Sequence, residues 1–155
     1  MGNYAAAQDV HEDAFFNQID CLGRHHPDVA TSLSNLAALA MRKGDLGDAK
    51  ELYIEAIEMR KEVFGSDHID VASAFNNLAG VLVMLGECDE AFALYQESRR
   101  VREKLLGENH PSVAEIQGNL GALFLSLGRL PQALPCFEAE LHVHIQVRKK
   151  RREDE

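Results

Sequence analysis

Seven histidines stand among the 155 residues, and imidazole nitrogen is the commonest protein ligand for transition metals, so metal chemistry is the first possibility to weigh. His25, His26 and Asp28 are close enough in sequence to share an ion. His26, His68 and His110, however, recur at one fixed interval and occupy the same place in three successive units, so they belong at three helix starts about 10 Å or more apart. His142 and His144 lie two apart on a helix and do not face each other. His11-Glu12 lacks the second histidine of a zinc-protease motif. A metal-dependent hydrolase would need these histidines to converge, and their spacing instead predicts packing or hydrogen bonding at helix starts, with no metal site and no cofactor.

Nucleophilic chemistry finds no better footing. No serine or cysteine sits in a strand-to-helix elbow, and the glycines fall at turns rather than in a phosphate-cradling loop. Cys21, Cys88 and Cys136 are three at unrelated spacings, which suggests packed, reduced thiols. The 25 acidic residues are spread along polar helix faces, a solvated surface rather than a tuned carboxylate pair. The expectation is a protein without catalytic residues.

The remaining chemistry-bearing pattern is a row of amides. Asn35, Asn77 and Asn119 recur at intervals of 42 residues, each followed by leucine and a small residue. Asparagine is unfavourable inside a helix, so three at one register need a reason. A structural reason exists: each could bond to a neighbouring repeat.

The elements that position those amides follow from the same period. His26-Pro27-Asp28-Val29-Ala30 returns as His68-Ile69-Asp70-Val71-Ala72 and as His110-Pro111-Ser112-Val113-Ala114. Gly44, Gly86 and Gly128 share a register, as do Ala49, Ala91 and Ala133, and Tyr53, Tyr95 and Phe137. Within each unit Val29, Leu33, Leu36, Ala37 and Ala40 mark one amphipathic helix, and Ala49, Leu52, Tyr53, Ala56 and Ile57 mark a second. Asp48, Lys50, Glu51, Glu55, Glu58 and Glu62 then face water. We expect helices over about 27–42, 47–64, 69–84, 89–106, 111–127 and 131–149, with Gly65 in the left-handed conformation that ends a helix. Strand signals are absent.

One hairpin cannot bury its apolar face, so hairpins must stack. The expected fold is all-α: a right-handed superhelical array of antiparallel helix hairpins in one domain over 1–155. Three repeats cover 26–65, 68–107 and 110–149, preceded by a lone second helix of a partial repeat over 4–22. Residues 148–155 form a charged tail.

Charge narrows the partners. The net charge is −9; residues 148–155 carry +2, which leaves −11 on 1–147. A body that acidic repels phosphate backbones, so no nucleic-acid partner is expected. The basic run Arg148–Arg152 suits the negative end of the last helix dipole; the alternative is a patch for nuclear import or an acidic partner. No apolar run is long enough to span a membrane, and the N-terminus shows no secretory signal, so a cytoplasmic location is expected.

The small residue after Leu36, Gly44, Ala49 and the aromatic at 53 resemble the tetratricopeptide pattern. The 42-residue period, the His-Pro-Asp-Val-Ala opening, the Asn-Leu-Ala segment and endings such as Arg102-Glu103-Lys104-Leu105-Leu106-Gly107 resemble in particular the repeats of kinesin light chains. The resemblance covers essentially the whole chain. It implies a non-enzymatic module that binds a peptide or partner protein in a concave groove lined by the first helices, and it extends to a kinesin motor complex or its cargo as partner, with cytoskeletal association. It also admits a fragment of a larger signalling protein with a nucleotide-binding domain. On this resemblance Asn35, Asn77 and Asn119 hold the peptide backbone. Thr31, Ser34, Ala38 and Arg42 flank the first, Ser73, Asn76, Gly80 and Met84 the second, and Glu115, Ala122 and Ser126 the third.

Overall fold

The computed structural model describes residues 15, 17, 19–23 and 26–153. Among these, six complete helices follow one another: α1 (Pro27–Lys43), α2 (Leu46–Phe64), α3 (Ile69–Leu85), α4 (Cys88–Leu106), α5 (Pro111–Ser126) and α6 (Leu130–Glu153). Residues 15, 17 and 19–22 are also helical; residues 4–14, 16 and 18 of the lone second helix expected over 4–22 lie outside the described residues. No strand occurs among the described residues.

The helix starts explain the recurring histidine. His26, His68 and His110 are the N-cap residues of α1, α3 and α5, all with extended backbone. Each Nδ1 accepts a hydrogen bond at 3.2 Å from the backbone amide two residues on, that of Asp28, Asp70 and Ser112. One of the unpaired donors at each helix start is thereby satisfied. Pro27 and Pro111 occupy the first helical turn, where a missing N–H costs nothing.

The helix ends use glycine in two ways. Gly44 and Gly86 take the left-handed conformation, with ψ of 4° and 6°, and their amides reach back to carbonyls of the last turn. Gly65 departs from the expected left-handed form. Its φ of 78° is paired with ψ of 169°, and Gly107 repeats this at 86° and 156°. That region is open to glycine alone, and it turns the chain extended into the linker towards the next histidine cap.

Among the described residues, substantial helix contacts run between consecutive elements, α1 with α2 and onward to α5 with α6, as a one-dimensional stack requires. Small residues set the close approach. Ala37, Ala49, Ala79, Ala91 and Ala133 are fully buried, and Tyr53 and Tyr95 lie beside them in the main core with Val71, Leu78, Leu82 and Ile116. A second cluster of Val29, Ala30, Leu33, Ala56 and Met59 is covered by Phe15 and Ile19.

One boundary differs from expectation by more than a residue or two of fraying. α6 continues through the basic run to Glu153 instead of stopping at 149, because cations in the last turn favour the carbonyl end of the helix dipole. It also accommodates Pro135 in its second turn. Two expected surface charges are half-buried as well. Lys50 pairs with Glu87 in the turn between α3 and α4, a bond that raises the ammonium pKa, and Glu55 lines the cleft between α1 and α2.

Candidate functional interface

The first helices α1, α3 and α5 carry the expected site residues. Val29, Leu33 and Ala37 point α1 into the core, which leaves Thr31, Asn35 and Arg42 exposed and Ser34 and Ala38 half-buried along the adjoining face. On α3, Asn77 and Met84 are exposed, whereas Ser73, Asn76 and Gly80 are half-buried. On α5, Asn119 is half-buried, and Glu115, Ala122 and Ser126 are exposed.

The structure brings some of these residues together and leaves others apart. Asn119 donates its side-chain amide to the Asn76 Oδ1 at 2.8 Å, joining α5 to α3. Among the described residues, no side-chain hydrogen bond engages the amides of Asn35 and Asn77. Ser34 donates to the Ala30 carbonyl at 2.9 Å and accepts from Arg60 Nη1 at 2.9 Å. Ser73 donates to the Ile69 carbonyl at 3.0 Å. The two serines thus spend their hydroxyl protons on their own helices, whereas Asn35 and Asn77 present an unspent donor and acceptor to solvent.

The register also carries two arginines whose roles the residue pattern alone did not reveal. Arg60 and Arg102 lie 42 residues apart on the second helices, and each ties its helix to a first helix. Arg60 reaches Ser34; burial lowers its guanidinium pKa, opposed by the charge of Asp70. Arg102, only 5% exposed, donates to the Ser112 carbonyl at 2.7 Å and to Glu115 at 3.0 Å. A search for repeated cations along the 42-residue shift would have found both. Ser98, fully buried, donates to the Ala72 carbonyl at 2.7 Å and fastens α4 to α3.

Among the described residues, no three His, Cys, Asp or Glu side chains converge to hold a metal ion; His25 and the His11-Glu12 pair lie outside them. Burial raises the Cys136 thiol pKa, away from the reactive thiolate, and likewise raises the Tyr53 and Tyr95 phenols. No described helix is long and apolar enough to cross a membrane. A cleft of about 360 Å³ between α1 and α2, lined by Leu36, Leu39, Asp48, Glu51 and Glu55 among others, contains none of the expected site residues.

Stacked helix hairpins with a polar face along their first helices define a helical-repeat interaction scaffold. The tetratricopeptide repeat profile matches residues 1–62, 28–103 and 70–141, and the chain belongs to the tetratricopeptide repeat family. Comparison with curated protein sequences gives no match. Among solved structures, BtubC (BKLC) from P. vanneervenii is similar at 28% identity and a TM-score of 0.84, over 94% of this chain and 57% of that one. The nearly identical TPR-like repeats of a proposed kinesin light chain from Podosopora anserina match at 22% identity in two structures. The TM-scores are 0.80 for a point variant of those repeats, over 96% of this chain and 70% of that one, and 0.77 for the second structure, over 94% and 69%. The fold is therefore that of kinesin light chain-like repeats, and the chain spans little more than half of the P. vanneervenii protein. Tetratricopeptide arrays are protein–protein interaction scaffolds, and this chain shares that architecture.

Proposed function

We propose that the chain binds an extended peptide segment of a partner protein along the face formed by α1, α3 and α5, and that it acts by holding this segment rather than by transforming it. The observation that carries the reading is the pair of exposed amides, Asn35 and Asn77, at one register on successive first helices. Each amide offers an extended peptide backbone both a donor and an acceptor. Ala38, Gly80 and Ala122, small residues three positions beyond each asparagine, leave room for that backbone. In this reading Arg42 contributes a cation at the end of α1, while Ser34, Ser73 and the Asn76–Asn119 pair hold the groove floor.

A kinesin light chain-like adaptor, with a motor complex or its cargo as partner, is the specific form of this reading. Its support is the fold shared with kinesin light chain-like repeats together with the 42-residue period and its histidine-capped opening. The proposed location is accordingly cytoplasmic, in association with the cytoskeleton. Affinity capture from cell extract, with the unchanged chain and the Asn35→Ala/Asn77→Ala variant in parallel, tests both levels. A partner held by the first and lost by the second supports the groove, and its identity as a motor subunit or cargo supports the adaptor. Equal capture by both chains would contradict the groove.

A further inference from the structure

The outward face of α6 carries Leu130, Leu134, Leu141 and Ile145 at 62%, 57%, 60% and 43% exposure. Their spacing of four, seven and four residues aligns them along one side of the helix. At three of these register positions the earlier hairpins are buried or touch the next hairpin. Ile57, at the position of Leu141, is buried, and Lys61, at the position of Ile145, lies 5.0 Å over the Phe75 ring of α3. Phe92, at the position of Leu134, packs on Phe124 of α5 at 5.7 Å. α6 thus continues the face by which the earlier second helices touch the following hairpin, with apolar groups that no described residue covers. An exposed apolar stripe of this kind marks an interaction site.

We propose that this face is the interface of a symmetric dimer, in which α6 of one chain packs antiparallel against α6 of a second copy. Three observations select that occupant. The stripe is a palindrome: about a two-fold axis between residues 137 and 138, Leu130 meets the second copy's Ile145 and Leu134 meets its Leu141, as an isologous contact demands. A head-to-tail stack is blocked, because Leu33 on α1, the counterpart of Phe75, is already covered by Phe15 and Ile19. Charge favours the antiparallel sense. The five cations of Arg148–Arg152, set against the net −9, leave −14 on the rest of the chain; antiparallel packing carries each basic run past the start of the other α6, towards the carbonyl end of α5 and an acidic body. A parallel pair would set the two basic runs side by side.

Light scattering during size exclusion, from low to high micromolar concentration, is the first measurement. The expected mass is twice the 17.2 kDa of one chain, falling to one chain's mass in Leu134→Glu/Leu141→Glu, with the circular dichroism of that variant unchanged because both leucines are exposed. The antiparallel sense has its own readout. A mixture of Leu134→Cys and Leu141→Cys chains should form a mixed disulfide on mild oxidation, above the background set by Cys21, Cys88 and Cys136, while neither variant alone links to itself. A single-chain mass at every concentration would overturn the dimer and leave the face to another helix; self-linking of Leu134→Cys alone would overturn the antiparallel geometry.

Discussion

The Asn119 side-chain amide donates to the Asn76 Oδ1 at 2.8 Å, the side-chain hydrogen bond that joins the first helices of two successive hairpins. It divides the asparagines of the polar face into two kinds. Asn119 and Asn76 fasten one repeat to the next, whereas Asn35 and Asn77 are exposed. A double-mutant cycle with Asn76→Ala and Asn119→Ala should return a coupling of about 0.5–1.5 kcal/mol in chemical denaturation. Additive single variants would show that the amides do not support each other in solution.

Glycines on the packed helices give a prediction with two signs. A Cβ at Gly121 would lie 2.8–3.0 Å from the Phe137 ring, whereas one at Gly80 would meet only the Tyr95 hydroxyl at 3.9 Å. Gly80→Ala should therefore stabilise by up to about 1 kcal/mol through helix propensity. Gly121→Ala should destabilise by about 1–3 kcal/mol through overpacking. Denaturant midpoints moving in the same direction for both variants would contradict this packing.

Much of this architecture was legible because the 42-residue shift repeats helix, turn and cap together. The histidine caps, the six helices and the close-packed alanines all follow from it. Partner geometry was less legible. The shift equates Asn77 with Asn119, yet the bond pairs Asn119 with Asn76, since adjacent helices meet through facing positions rather than equivalent ones. Gly118 occupies the position of Asn76 one repeat later, and there the Glu140 carboxylate fills the space. No one-repeat pattern encodes such an exchange between helices. The ψ of Gly65 was hidden for a similar reason, because positive φ alone does not distinguish a left-handed cap from an extended exit.

Core alanines at helix crossings offer a coarser test. Ala79 and Ala91 are fully buried, so Ala79→Leu or Ala91→Leu should each destabilise by about 1–3 kcal/mol. Thermal or chemical unfolding measures this. Unchanged midpoints would mean that the axes are farther apart than the structure has them.

Acid should loosen the linker between α2 and α3. Hydrogen bonds from Lys104 and then Arg100 hold the Asp67 carboxyl below its ordinary pKa. Because the folded pKa is depressed, the stabilisation is present above the usual aspartate range and is lost as pH falls through the folded value. Asp67→Asn should therefore unfold at a lower denaturant concentration than the unchanged chain at neutral pH, with the difference shrinking below the aspartate range. A difference that persists undiminished in acid would place the effect elsewhere.

The central claim is that Asn35 and Asn77 serve a partner rather than the fold, and affinity measured alongside melting temperature on the same preparations tests it most directly. Two lost hydrogen bonds at about 0.5–1.5 kcal/mol each amount to about fivefold to a hundredfold or more in affinity. Neither amide carries a side-chain hydrogen bond among the described residues, and alanine favours the helix. Asn35→Ala/Asn77→Ala should therefore bind a captured partner peptide more weakly by that factor at an unchanged or slightly raised melting temperature. A well-folded variant that binds with undiminished affinity would contradict the account.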